Sequence, residues 1–138
     1  MPNSRHGANN VRVLLDTHAF LWWLDGDRRL SRRARVLIGD PSTDVLVSAA
    51  SALEITTKHR MGKLAGADDV ARDIAGCIAR QRFSPVDISI HHAQRAGGLR
   101  IPHRDPFDRM LIAQAQMEDL PIVSNETVFD EFGVTRIW

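Results

Sequence analysis

Short apolar runs alternate with segments of helical periodicity along most of the chain. Strands are predicted at residues 11–15, 45–47, 86–88, 122–124 and 134–138. Helices are predicted between and after them, at residues 18–24, 32–38, 49–61, 68–82, 90–98, 106–118 and 127–132. Short strands that are separated by helices and rarely by hairpin turns favour a parallel sheet with helices on both faces, an α/β fold.

Polar residues mark the starts of several predicted helices. Ser31, Ser48 and Ser89 each precede a helical segment and can accept a hydrogen bond from its first free amides. Asp105 precedes Pro106, a residue favoured at the first helical position. These boundaries locate the carboxyl ends of the strands, where open parallel sheets bind their ligands.

Five acidic residues follow strands or open helices near that edge of the predicted sheet. Asp16 directly follows the first strand, and Glu54 lies in the second turn of the helix after the second strand. Asp105 and Asp108 begin the helix before the fourth strand, and Glu126 follows that strand closely. If the strands are parallel, we expect the four segments that carry these acids to converge at one edge of the sheet.

Each acid also has a purely local explanation. Asp105 and Asp108 suit the cap and first turn of a helix, where the helix dipole favours negative charge. Glu54 fits a capping box with Ser51, and Asp16 can be a turn residue. None of these acids is specific by itself, so their combination carries the prediction of a site.

Convergence of several carboxylates predicts a metal ion. Two carboxylates about 4 Å apart repel by about 4 kcal/mol at an effective dielectric constant of about 20, so three or four in one pocket require protonation or a cation between them. Ligands that are all oxygen suit Mg²⁺ or Mn²⁺ and not zinc. Cys77 and the histidines form no rival zinc motif, and we expect most histidines to be surface or structural residues, namely His6, His59, His91, His92 and His103.

Composition narrows the class of protein. The 138 residues are 43% apolar and 25% charged, which is typical of one globular domain. A net charge of +1 is low for a protein that grips long duplex DNA, so any nucleic-acid contact should be local. One cysteine excludes an intramolecular disulfide, and no apolar run is long enough for a signal peptide or a membrane span. We expect a cytoplasmic protein with a flexible tail at residues 1–10 and one domain at residues 11–138.

Three segments in this order resemble the PIN-domain ribonucleases. They are VLLDTH at residues 13–18, SAASALEI at residues 48–55, and HRDPFDRMLIAQA at residues 103–115, with IVS following at residues 122–124. The combination is most similar to the VapC-type toxins of bacterial type II toxin-antitoxin pairs, and it spans nearly the whole chain. The resemblance implies a three-layer α/β/α fold with a central, mainly parallel sheet.

The resemblance also implies an activity and partners. It implies an endoribonuclease that depends on Mg²⁺ or Mn²⁺ and cuts single-stranded or looped RNA. It further implies inhibition by a cognate antitoxin protein and a homodimer. By position, Asp16 and Glu54 match the first and second acids of the family, Asp108 matches the third, and Asp105 is an additional acid in the branch with this DPFDR form.

The chain departs from the family pattern after the fourth strand. Many relatives carry an aspartate there, whereas this chain has Ser124, Asn125 and Glu126. Glu126 or Asn125 is then the candidate for an additional ligand, and the number of metal ions stays open between one and two.

Catalytic and substrate-binding roles follow as expectations. Glu54 or Asp105 is expected to orient or deprotonate the attacking water. Thr17 and Ser124 are candidates for orienting water or a carboxylate through their hydroxyl groups. Lys58, four residues after Glu54 on the same helix, is expected to pair with it or to contact RNA.

Two surfaces are candidates for interactions. The densest basic segment is expected to be a solvated helix face, a phosphate guide or a contact for an acidic partner, and it comprises Arg28, Arg29, Arg32, Arg33 and Arg35. The helix at residues 18–24 is apolar on all sides, so Trp22 and Trp23 are not expected to face the same core. Part of this helix is therefore expected in an antitoxin or dimer interface.

Three other functions are compatible with parts of the pattern. A phosphotransferase of the haloacid-dehalogenase type also places an aspartate after its first strand, but it needs a second one where this chain has His18. A PIN module without catalysis would bind only RNA or a partner, and the presence of the acids argues against it. A housekeeping RNA-processing nuclease of the same fold remains the third alternative.

Overall fold

The computed structural model describes residues 11–138, and the predicted flexible tail at residues 1–10 lies outside this described part. Within it, five strands form one sheet in the order β3-β2-β1-β4-β5, and every pairing is parallel. The strands are β1 Val11–Leu15, β2 Thr43–Ser48, β3 Ser84–Val86, β4 Ile122–Val123 and β5 Arg136–Ile137. The predicted α/β fold with a central parallel sheet is confirmed.

Helices cover both faces of the sheet. They are α1 Thr17–Asp25, α2 Arg32–Gly39, α3 Ala49–Arg60, α4 Asp68–Arg72, α5 Ile74–Arg80, α6 Ile90–Gly98, α7 Pro106–Glu118 and a 3₁₀ helix at Thr127–Phe132. Alternate residues of β1 enter opposite apolar clusters, since Val13 and Leu15 pack with Phe20 whereas Leu14 packs with Ile112. The fold therefore has the three layers that the resemblance implied.

The predicted serine caps are present. The side-chain oxygens of Ser31, Ser48 and Ser89 each accept a hydrogen bond from a first-turn amide of the helix that follows. Helix α1 ends at Gly26, whose φ of 63° is a left-handed conformation that glycine adopts without steric cost. These caps fix where each helix leaves the sheet edge.

The single helix predicted at residues 68–82 is wrong, because the chain forms two helices that meet at Asp73. Asp73 has an extended φ of −152°, and its side chain accepts a hydrogen bond of 2.9 Å from the Gly76 amide. The aspartate therefore caps a new helix instead of continuing the old one.

The strand predicted at residues 86–88 lies two residues earlier, at Ser84–Val86. Pro85 pairs with Val47, and a proline is tolerated there because β3 is an edge strand. The last two strands are shorter than predicted, at Ile122–Val123 and Arg136–Ile137. The topology is unaffected by these shifts.

The two tryptophans of α1 pack against the same apolar cluster, so the expectation that they face different cores is wrong. The Trp23 indole donates a hydrogen bond of 2.9 Å to Gln81, and the ring lies 6.2 Å from that of Phe83. The Trp22 ring meets Trp138 edge-on at 5.9 Å. Both side chains stay half-buried, so α1 still offers some apolar surface.

Candidate active site

A cleft of about 50 Å³ lies at the carboxyl ends of the strands. It is lined by Asp16, Thr17, His18, Glu54, Lys58, Asp105, Asp108 and Glu126. All five candidate acids and two of the three candidate substrate-binding residues are in this list. The structure therefore brings the predicted acids together, while their roles as ligands or catalysts stay predictions.

Asp16 joins β1 to α1 and lies on the floor of the cleft. It caps α1 by accepting a hydrogen bond of 2.8 Å from the Ala19 amide, and only 3% of its surface is exposed. Burial raises the pKa of Asp16 to about 6, although hydrogen bonds from Ser124 and Ala19 oppose the rise, and the negative charges of Glu126 and Glu54 add to it. Without a cation, this carboxylate is costly to ionise.

Glu54 on α3 is tied to α1 through buried hydroxyl groups. The Thr17 hydroxyl donates a hydrogen bond of 2.6 Å to Oε1 of Glu54, and its oxygen lies 2.9 Å from that of Ser51. Because the Thr17 hydroxyl has one proton and gives it to the carboxylate, Ser51 is the donor in the second contact. The capping box considered for Ser51 and Glu54 is absent, since Ser48 caps α3 instead.

Lys58 brings a positive charge to the acids. Its ammonium group forms a salt bridge with Oε2 of Glu54 one helical turn earlier. The hydrogen bond to Glu54 raises the pKa of Lys58, and the negative charges of Asp105 and Asp108 contribute to the rise. Lys58 therefore neutralises part of the charge of the cleft.

The first turn of α7 places two more carboxylates at the cleft. Oδ1 of Asp105 accepts hydrogen bonds from the Phe107 and Asp108 amides at 2.8 and 3.1 Å, as expected for a helix cap. Burial raises the pKa of Asp108 to about 6 against the effect of a hydrogen bond from His103, while the charges of Asp105 and Glu126 add to the rise. Burial therefore makes Asp108, like Asp16, more costly to ionise than an exposed aspartate.

The residues after β4 differ in how they take part in the cleft. Ser124 is fully buried, and its hydroxyl accepts a hydrogen bond of 2.9 Å from the Glu126 amide and bonds to Asp16. Glu126 is exposed and lines the cleft, whereas Asn125 is not among the lining residues. Glu126 is therefore the better candidate for an additional ligand.

His103 is a site residue whose partner the sequence did not reveal. Its Nε2 lies 2.8 Å from Oδ2 of Asp108, although five residues separate the two in the chain. The sequence predicted a surface or structural histidine at this position, and it did not predict the contact with Asp108, a candidate ligand. Their spacing within HRDPFDR was the available signal, but only the path of the loop shows that the ring turns back onto the helix.

The donor set fits a hard divalent cation. All the acids offer oxygen, and burial with neighbouring negative charge raises the pKa of two of them, Asp16 and Asp108, to about 6. As they stand, however, no three His, Cys, Asp or Glu side chains in residues 11–138 form a group that could hold an ion. Thr17 and Lys58 engage both oxygens of Glu54, whereas His103 engages only Oδ2 of Asp108, so an ion at Glu54 requires one of the Glu54 contacts to rearrange.

The basic segment does not reach the cleft. The Arg29 guanidinium pairs with Asp27 and lies 4.9 Å above the Trp22 ring, and Arg35 donates to the Leu30 carbonyl at 2.9 Å. None of its five arginines lines the acidic cleft. These contacts support a structural role for two of them.

A family model for the PIN domain matches residues 13–134. The chain belongs to the PIN domain family. PIN domains are nucleases, so this chain is assigned to that class of hydrolases, and the phosphotransferase alternative is dropped.

Solved structures with the same fold come from toxin-antitoxin complexes. The PIN chain is similar to a chain of VapBC2 from Rickettsia felis, whose structure was solved with a DNA fragment from the VapBC2 promoter. The two chains are 13% identical and superpose with a TM-score of 0.64 over 92% of this chain and 98% of the other. It is also similar to a toxin-antitoxin complex from Klebsiella pneumoniae, with 20% identity and a TM-score of 0.63 over 91% and 96%. DNA-bound VapBC from Salmonella typhimurium gives 17% identity and a TM-score of 0.64 over 92% and 97%.

No curated protein matches this PIN chain by sequence. Among residues 11–138, no helix combines the length and the apolar character needed to cross a bilayer.

Proposed function

We propose that this PIN domain is a metal-dependent endoribonuclease and the toxin of a type II toxin-antitoxin pair. The observation that carries the proposal is the convergence of Asp16, Glu54, Asp105, Asp108 and Glu126 on one cleft. Carboxylates so grouped are reconciled by a divalent cation, and a cation held by oxygen ligands with open positions suits a phosphodiester substrate.

Asp16 and Asp108, with Glu54 nearby, are the proposed ligands of Mg²⁺ or Mn²⁺, and Glu126 is the candidate for an additional one. When bound, the ion acidifies water and neutralises charge on the phosphate. The chain's own residues set the geometry, because Asp16 is fixed as the cap of α1 and Asp108 is fixed in the first turn of α7.

Asp105 is the better candidate of the two for accepting the proton of the attacking water. Both oxygens of Glu54 are engaged, by Thr17 and by Lys58, which suits an orienting role. Asp105 uses Oδ1 for its two amide bonds, so Oδ2 can accept a proton. The water oxygen then forms the new bond to phosphorus as the ester P–O bond breaks.

The same cleft provides groups for RNA. Lys58 is a third exposed and can meet a phosphate, while the hydroxyl groups of Thr17 and Ser124 are buried and act through Glu54 and Asp16. This suits positioning better than direct contact with substrate. The small net charge of +1 agrees with a short RNA contact.

The proposed partners are a cognate antitoxin and a second copy of the chain, and the proposed location is the cytoplasm. Support comes from the fold, which is shared with chains of VapBC complexes. The half-buried Trp22 and Trp23 of α1 offer apolar surface for one of these contacts. Co-expression with the product of an adjacent reading frame is expected to abolish growth inhibition by this chain.

The activity is tested by cleavage of a labelled single-stranded RNA with Mg²⁺ or Mn²⁺, and with EDTA as the metal-free arm. Asp16→Asn and Asp108→Asn are expected to lower the rate by roughly 100-fold or more, the scale of losing one group that stabilises the transition state. Asparagine caps a helix as well as aspartate does, so Asp16→Asn removes the charge and keeps the cap.

Asp73→Asn is the matched control, because Asp73 is an exposed helix cap on α5 outside the cleft. It should cleave RNA at the wild-type rate. Cleavage by folded Asp16→Asn and Asp108→Asn at the wild-type rate, or full activity in EDTA, would refute the proposal.

A further inference from the structure

Arg109, directly after Asp108 on α7, donates all its N–H groups to backbone carbonyls. A guanidinium has five N–H donors. Its Nε donates to the Ala96 oxygen at 3.0 Å, Nη1 to Ile101 and His103 at 3.2 and 3.0 Å, and Nη2 to Gly97 and Leu99 at 3.3 and 2.6 Å. Because every N–H donor of Arg109 is used on a main-chain carbonyl, the side chain fixes this backbone segment in place. It has no N–H group left to bind a phosphate.

These carbonyls belong to the end of α6 and the loop that follows. The last turn of a helix has carbonyls without partners inside the helix. Many helices solve this with a left-handed residue after the last turn, but Leu99, the residue that follows α6, has a φ of −59°. Arg109 supplies the missing donors from α7 and thereby ties the loop at residues 99–104 to the helix that carries Asp108.

The loop that Arg109 holds places the His103 ring against Asp108. Nη1 of Arg109 bonds to the His103 carbonyl, and the His103 ring bonds to Oδ2 of Asp108 at 2.8 Å. The side chains of His103 and Asp108 are only 27% and 15% exposed. Two hydrogen bonds and the peptide bond between Asp108 and Arg109 thus link three residues of the HRDPFDR segment.

We propose that Arg109 and His103 are positioning residues that orient the Asp108 carboxylate for a divalent cation. The inference rests on the proposed function, since it takes Asp108 as a ligand. With Oδ2 held by His103, Oδ1 is the oxygen left for the ion, and its rotation is restricted before binding. Hydrogen bonds to metal-ligating side chains act in this way, and their loss typically costs 10- to 100-fold in metal affinity.

Two other effects would change the affinity for the cation in the opposite direction. Arg109 is a positive charge beside a ligand, so electrostatics alone predicts that removing it strengthens cation binding. If His103 merely competed with the ion for Asp108, its removal would also strengthen binding. Positioning predicts weaker binding in both cases, so the direction of the change decides.

The experiment is calorimetric titration of the full chain with MnCl₂, without RNA. His103→Ala and Arg109→Met are each expected to weaken Mn²⁺ binding by about 10-fold. His103→Gln keeps an N–H donor and should retain most of the affinity. Arg104→Met removes an exposed positive charge from the same loop and should leave the affinity equal or tighter.

The double variant His103→Ala/Arg109→Met tests whether Arg109 acts through His103. We expect it to bind Mn²⁺ no more weakly than His103→Ala alone, because Arg109 can act on Asp108 only while the His103 ring is present. Multiplied losses would overturn the link between the two residues. Unchanged or tighter binding in folded His103→Ala overturns the proposal, and this arm decides it if Arg109→Met does not fold.

The wild-type titration separates this inference from the proposed function. No Mn²⁺ binding by the wild-type chain would contradict the metal site itself and the inference with it. Wild-type binding with unchanged affinity in His103→Ala would contradict only the positioning role.

Discussion

The Thr17 hydroxyl donates a hydrogen bond of 2.6 Å to the Glu54 carboxylate, joining the first turn of α1 to the second turn of α3. Both residues are 6% exposed, so the bond lies in the interior under the cleft. Asp16, which caps α1, is thereby held in a fixed relation to Glu54. The Thr17 hydroxyl, next to Asp16 in the chain, therefore helps to fix the geometry of the site.

Thr17→Val removes this hydroxyl while keeping the shape of the side chain. We expect a loss of about 1–3 kcal/mol in the free energy of unfolding, because a buried carboxylate oxygen loses its donor. RNA cleavage should fall in parallel, because Glu54 loses one of the two contacts that hold it. Chemical denaturation and the cleavage assay measure the two effects.

Thr56→Val on the same helix is the control. The Thr56 hydroxyl is exposed and bonds only to helix carbonyls, so this variant should change stability by less than about 0.5 kcal/mol. Equal effects of the two variants would show that the Thr17–Glu54 bond is unimportant.

Lys58 competes with a divalent cation for the same negative charge. Lys58→Met should therefore tighten Mn²⁺ binding, since it removes an ammonium group from the field of Glu54, Asp105 and Asp108. The same variant should weaken binding of a non-cleaved RNA analogue, which loses a phosphate contact.

Lys63→Met is the matched control for this pair of measurements, because Lys63 is exposed and lies outside the cleft. It should change neither affinity appreciably. If Lys58→Met weakens Mn²⁺ binding instead, Lys58 supports the acids and does not compete for them.

The stability of the metal-free protein should depend on pH through Asp16. Burial raises the pKa of Asp16 in the folded state to about 6 from 3.8, so the folded protein binds this proton more tightly than the unfolded chain. The resulting stabilisation is complete below about pH 4 and is lost as the pH rises through 6. The full effect is about 3 kcal/mol.

Denaturation in EDTA between pH 4 and 7 measures this dependence. The difference in unfolding free energy between wild type and Asp16→Asn should fall as the pH rises, because only the wild type loses the proton. Saturating Mn²⁺ should restore wild-type stability at pH 7, since the ion binds the folded carboxylates. Parallel stability curves for the two proteins would count against a buried, costly carboxylate.

Much of the fold followed from local patterns in the sequence. The apolar runs of β1 and β2 and the serine caps of α2, α3 and α6 depend on neighbouring residues alone, and they were confirmed. The break at Asp73 was missed because the apolar repeat continues across it, while the competing side-chain cap left no signal in that repeat. The shift of β3 was missed because its register is set by pairing with β2.

The site was predicted in part for a similar reason. Acids that follow strands are visible in the sequence, and the parallel sheet brings them to one edge. The contacts of His103 and Arg109 depend on how the loop at residues 99–104 turns back, which no periodicity reports. The Ser51–Thr17–Glu54 arrangement likewise needs α1 and α3 to be packed together before it can be seen.

The proposed metal site can be seen directly in an anomalous diffraction map from crystals of the chain grown with Mn²⁺. We expect a strong peak in the cleft, bonded at about 2.1 Å to carboxylate oxygens of both Asp16 and Asp108. A second, weaker peak near Glu126 would add an ion without changing the claim. An empty cleft at saturating Mn²⁺, or a peak that contacts only one of the two aspartates, would contradict it.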